Sequence, residues 1–375
     1  MNQAEFTERR NKIVESTLHN LNILDDDLLN RTQNFVSANM LNFMPEVKVT
    51  EHEDIFRHIL LNKDLSILEQ QYAGIIDAVS YEGLSRQFFN LLDSKPAIFC
   101  TFHMGSNRVI NHFLASNNIP YTLVVANHIS TGEGSSFDKM FSDVYQNGTN
   151  NELNIISAQL PNAALKMLRE LKKGKSLLLY IDGNTGAGDD SVKNENRCKI
   201  NFLKQSIYAR KGIAYLSHLA GVPIINAVCY RKSLEDIRLK FFSPIYPDKK
   251  QSRTDFAEET TQKLYDMFVP ILKLHPGQWE CWIYLHTMIN SKEFIYKEEQ
   301  QPLAEQFLLN KDKFGFFNIG TELFLFDKKT YNSYPIDPLT YKVLFKSATQ
   351  PVEKIELNNN NLFQQLYNNQ VFINV

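Results

Sequence analysis

Ile98-Phe99-Cys100-Thr101-Phe102-His103-Met104-Gly105-Ser106-Asn107-Arg108 begins as a nearly continuous apolar run and stops at a histidine and a glycine. The run has the length and residue types of a strand, and its lack of apolar–polar alternation marks a strand covered on both faces, as in a parallel sheet flanked by helices. Directly after it, Val109–Ala115 is apolar at helical spacing. The stretch therefore predicts strand, tight turn and helix. In such sheets the carboxyl ends of the strands open into the crevice where ligands bind. His103 at that junction is placed to act as a general base. The amides of Ser106 and Asn107, at the start of the next helix, are candidates to receive a developing oxyanion, their side chains also suit helix caps, and Gly105 beside them is a candidate substrate-binding residue.

The same alternation continues outward. Ala97–Thr101, Thr122–Ala126, Leu153–Ser157, Ser176–Ile181 and Ile224–Cys229 are expected as buried strands, with helices over Val109–Ala115, Asn162–Lys172 and Ser206–Leu219 between them. This is an α/β class with a mostly parallel central sheet flanked by helices. Residues 1–92 form an expected helical N-terminal region, 93–290 the α/β domain, 291–313 a charged linker and 314–375 a small α+β module. In that last module, Glu322–Phe326 and Tyr331–Ile336 flank the turn Asp327–Thr330 as a hairpin, followed by two short helices and a terminal strand over Gln370–Val375. The order of elements suggests a winged-helix-like appendage.

Composition narrows the function classes. With 40 Lys and Arg against 42 Asp and Glu, the net charge of −2 offers no field for drawing in nucleic acid. The four cysteines, Cys100, Cys198, Cys229 and Cys281, lie far apart with no CxxC pair, which predicts neither a disulfide framework nor a zinc site. Cys100, inside an apolar run, is expected as an inert buried thiol. No histidine spacing predicts a metal, and the loop from Gly183 to Gly188 lacks the Lys-Ser/Thr ending of a phosphate-binding loop. Met1–Leu21 is charged where a signal peptide needs an apolar core, and no run is long enough to span a bilayer. A cytoplasmic protein is expected, with peripheral membrane docking through the N-terminal helices as the variant.

Three further segments follow in order: Leu168–Ile181 running into Asp182-Gly183-Asn184; Lys199–Leu203 leading to Ala209-Arg210-Lys211-Gly212 and to Ala220-Gly221-Val222-Pro223; and His275-Pro276-Gly277-Gln278-Trp279-Glu280-Cys281-Trp282. Together with the His103 stretch, over about half the chain, they resemble the lysophospholipid acyltransferase superfamily, and within it the bacterial lipid A late acyltransferases. The resemblance implies acyl transfer from a thioester on coenzyme A, or on the phosphopantetheine of an acyl or peptidyl carrier protein, to a hydroxyl or amine, with no bound cofactor. It makes His103 the base. It also implies a carboxylate at position 108, where this chain has Arg108. A guanidinium there is expected to keep His103 neutral and make it a weaker base, which suits an amine acceptor. Otherwise Asp182, Glu133 or Asp138 must reach the imidazole from another loop, and Asp182, at the end of a strand, is favoured. Arg210, Lys211 and Arg231 are candidates to hold anionic substrate groups. The expectation is a soluble biosynthetic acyltransferase acting on a small molecule or peptide. A membrane-associated lipid acyltransferase and a non-catalytic binding protein are the alternatives. By element order alone, the tail is similar to peptide-recognition modules that add a strand to a sheet edge.

Overall fold

The computed structural model describes residues 1–126, 153–183, 194–294, 306–353 and 360–374. The chain divides into two compact units, one comprising Met1–Leu21 with Arg57–Cys281, the other Asn22–Phe56 with Trp282–Val375. The 92-residue N-terminal region expected from the sequence is thus shared between them.

The first unit is built on a seven-stranded sheet of order β1-β9-β8-β2-β5-β3-β4. Its strands are β1 Val79–Glu82, β2 Ile98–Thr101, β3 Tyr121–Val125, β4 Asn154–Ser157, β5 Ser176–Tyr180, β8 Ile224–Arg231 and β9 Ile237–Phe241. Every pairing is parallel except β8 with β9. All four residues of β2 are buried, as expected of a strand with helices on both sides. The five expected strands are present with ends displaced by up to two residues, and helices occupy Val109–Ser116 and Ala163–Lys172.

Three differences from expectation have local causes. Val79–Glu82 lies in a stretch of helical spacing, but its alternation pairs with β9 in register Val79↔Ile237. The helix expected over Ser206–Leu219 begins only at Gly212. Before it, Arg197–Phe202 (β6) and Gln205–Arg210 (β7) form an antiparallel hairpin. Ile207 and Ala209 alternate inward there, and Leu203 takes φ +53° at the turn. Finally, β9 alternates buried and half-buried residues, the two-residue period of a strand with one wet face.

In the second unit the expected hairpin appears, with Leu323 opposite Ile336, and Phe314–Ile319 adds a third strand. Gln306–Leu309, placed by sequence in the linker, is a strand paired with both Val352–Glu353 and Phe372–Asn374. Its Phe307 and Leu309 belong to a core with Leu344, Phe363 and Phe372. Helix Asp27–Phe43 joins this unit because Ala38 packs against Phe317 and Phe326, and Asn34 Nδ2 donates to the Phe316 carbonyl at 2.8 Å.

Candidate active site

Register brings the two key side chains together. Strands β2 and β5 run parallel with Thr101 opposite Tyr180, and the Ile181 amide donates to the Thr101 carbonyl at 3.0 Å. Two residues past each partner, His103 and Asp182 therefore emerge side by side although 79 positions separate them. Asp182 is fully buried, whereas the His103 side chain is 29 % exposed. His103 Nδ1 lies 2.8 Å from Asp182 Oδ1. An ionised carboxylate only accepts, so this contact puts the ring proton on Nδ1 and leaves the lone pair on Nε2. Asp182 Oδ2 accepts two more bonds, from the His103 amide at 2.9 Å and from Trp279 Nε1 at 2.7 Å. Those three donors satisfy a charge that burial would otherwise penalise heavily.

The electrostatics favour protonation of the ring. Burial alone pushes the His103 imidazole down, but the charge and hydrogen bond of Asp182 outweigh it, with Glu280 adding to the rise, so its pKa lies above the ordinary histidine value. Arg108 opposes this as the last and smallest influence. The expectation that Arg108 would keep His103 neutral is corrected accordingly. The guanidinium donates from Nη1 to Gln70 Oε1 at 2.7 Å, while Asp182 touches the ring directly. Glu133 and Asp138 lie outside the described residues.

The turn between His103 and the next helix is held from the opposite side. Met104 bridges Trp279 in antiparallel fashion, flanked by bonds from the Gly105 amide to the Gln278 carbonyl and from the Glu280 amide to the His103 carbonyl, both 2.9 Å. Gly105 has φ +54°, and a Cβ there would meet the Tyr230 Cα and Gln278 Oε1 at 2.9 Å, so only glycine fits. Its amide is taken by the Gln278 carbonyl, which leaves it no N–H to offer a substrate. Ser106 is fully buried and lies against the Cys229 sulfur. Asn107 is buried too, and its carbonyl accepts from the Tyr180 hydroxyl at 3.3 Å. Neither side chain caps the helix, whose N-cap is Arg108 without a side-chain bond.

The expected anion-binding cations are mostly engaged elsewhere. Arg231 is 4 % exposed and its guanidinium meets both oxygens of Glu69 at 2.7 Å, with Nε donating to Asn62 Oδ1 at 3.0 Å. Withdrawing it to hold a substrate would leave a buried, unpaired Glu69, which corrects the expectation that it faces the crevice. Lys211 pairs with Glu258 at 3.0 Å. Arg210 lines a largely apolar cavity of about 330 Å³, together with Val124, Met167, Leu179, Ile213 and Leu216. Tyr180, Ile181 and Gly183 line it as well, whereas His103 and Asp182 do not; Tyr180 is the residue shared with the dyad, stacking on the His103 ring with centroids 4.3 Å apart.

The sequence alone points to no role for Tyr180, Glu69 or Asn62, and Gln278 and Trp279 stand there only as parts of a motif. Tyr180 was within reach of inference, because it is the last strand residue before Asp182. The four cysteines are buried thiols. Among the described residues, no three His, Cys, Asp or Glu side chains gather as a metal site, and no helix is long and apolar enough to cross a membrane. No protein-family model matches the chain, and no curated protein matches it.

Proposed function

We propose that this chain is an acyltransferase that moves an acyl group from a phosphopantetheine-type thioester, on coenzyme A or a carrier protein, to an amine or hydroxyl acceptor. The observation that carries this reading is the His103–Asp182 pair, a base held by a buried carboxylate at the carboxyl ends of adjacent parallel strands. His103 Nε2 takes the proton of the acceptor as the acceptor attacks the thioester carbonyl. Asp182 stabilises the imidazolium that results. Collapse of the tetrahedral adduct breaks the C–S bond, and the imidazolium returns the proton to the departing thiolate. The products are an amide or ester and a free thiol.

The adjoining cavity supports a fatty acyl group rather than a compact polar one. It is lined mostly by aliphatic side chains, Val124, Met167, Leu179, Ile213 and Leu216 among them, which suit a hydrocarbon chain. Decanoyl-pantetheine, which contains the unit common to both donor classes, is therefore the test substrate. Thiol release in the presence of a primary amine or alcohol should fall about a hundredfold or more in His103→Gln, with the acylated acceptor identified by mass spectrometry. Equal turnover by wild type and His103→Gln would overturn the reading.

A further inference from the structure

We propose that Trp279 is a positioning residue for the His103–Asp182 pair, its indole N–H setting how strongly Asp182 holds the imidazole proton. The inference rests on His103 acting as the base, as proposed above. Indole is a donor only, and here Nε1 meets Asp182 Oδ2 at 2.7 Å with both side chains fully buried. The bond shares the carboxylate charge at the oxygen next to the one that holds the ring.

Trp279 has little freedom to direct its N–H elsewhere. Phe202 and Phe268 pack on it with ring centroids 5.4 Å away in each case. The paired backbone bonds on either side of the Met104–Trp279 bridge tie its segment to the turn that carries His103. Imidazole and indole thus extend from two segments joined at one bridge and converge on one carboxylate. A buried tryptophan needs some acceptor, so a purely structural role is the rival explanation. The two differ in what happens to the proton on His103.

Removing the indole donor leaves Asp182 held by the amide and Nδ1 of His103, with its charge less dispersed. The carboxylate then binds the imidazolium more tightly. The other groups facing the ring, Glu280, Arg108 and the stacked Tyr180, are untouched by the change.

The test is an NMR titration of the His103 ring in the full chain, its signal assigned by its absence in His103→Gln. The titration is compared among wild type, Trp279→Phe and a chain carrying 3-benzothienylalanine at position 279, in which sulfur replaces the N–H at nearly constant shape. The benzothienyl chain should titrate at higher pH than wild type. The acid limb of thiol release from decanoyl-pantetheine should shift upward with it, so that the rate drops on the acid limb and recovers toward wild type on the alkaline plateau. If Trp279→Phe fails to fold, the benzothienyl chain still decides. An unchanged or lowered titration, or a rate reduced equally at all pH, would overturn the proposal. If wild type releases no thiol, the acyl-transfer reading falls, while the titration still decides the role of Trp279.

Discussion

At the scale of the residue, the site depends on one buried carboxylate. Asp182 raises the proton affinity of His103 against the opposing pull of burial, and that sign fixes two consequences. As a base, His103 works in its neutral form, so turnover should fall as pH drops through its raised pKa. Stability runs the other way: a raised folded-state value contributes most below the unfolded value of 6.5 and is lost as pH climbs through the folded one. Asp182→Asn removes the charge and permits the other tautomer. The acid limb should then move to lower pH, and the plateau rate should fall by about a hundred- to ten-thousandfold, as read from pH–rate profiles. A limb that stays in place would show that Asp182 does not govern the ring. The position of His103 at a strand end was legible in the sequence, and so was Asp182 as the favoured partner. The direction of Arg108 was not, because its acceptor Gln70 lies 38 residues away on another helix.

At the scale of the element, strand β8 is tied to helix His52–Gln70 through the portion that belongs to the first unit. Arg231 ends the strand, and Asn62 and Glu69 face it from the helix. Breaking a buried ion pair on one side leaves an uncompensated charge, so Arg231→Met should destabilise by about 3–5 kcal/mol in chemical unfolding. Adding Glu69→Leu should recover most of that loss, because the remaining pair of apolar side chains needs no counter-charge. A double variant no more stable than the single one would locate the cost in packing. Such pairs explain why elements were easier to read than their partners. The apolar runs of β2, β3 and β5 are visible within a few residues, whereas β1 and the hairpin β6–β7 lie beside helical spacing. What identifies them is the strand they pair with, and pairing is non-local.

At the scale of the whole molecule, the α/β class was legible from alternating strand and helix periods, but the division into units was not. Asn22–Phe56 groups with the C-terminal sheets through contacts such as Ala38 with Phe317 and Phe326, about 280 to 290 residues apart in the sequence. Burial also gives the chain a pH response that neither unit's sequence announces. His52, His112 and His286 are each pushed down to about 4, in every case chiefly by burial, with Lys328 adding to the effect on His52 and Arg31 on His286. In the unfolded chain they regain the ordinary value of 6.5 and take up protons that the folded state refuses. The unfolded state therefore binds more protons between the two values, and stability should decline as pH falls through that interval. Each group contributes at most about 3.5 kcal/mol by the linkage of one pKa unit to about 1.4 kcal/mol. His103, with the opposite sign, offsets only part of this. Urea unfolding between about pH 7 and pH 5, above the range where most carboxylates titrate, isolates the effect. Stability should drop steadily on acidification, and His112→Gln should flatten the slope if the chain tolerates the change. A flat profile in wild type would mean that these rings are hydrated or paired in solution, and that burial does not hold them neutral.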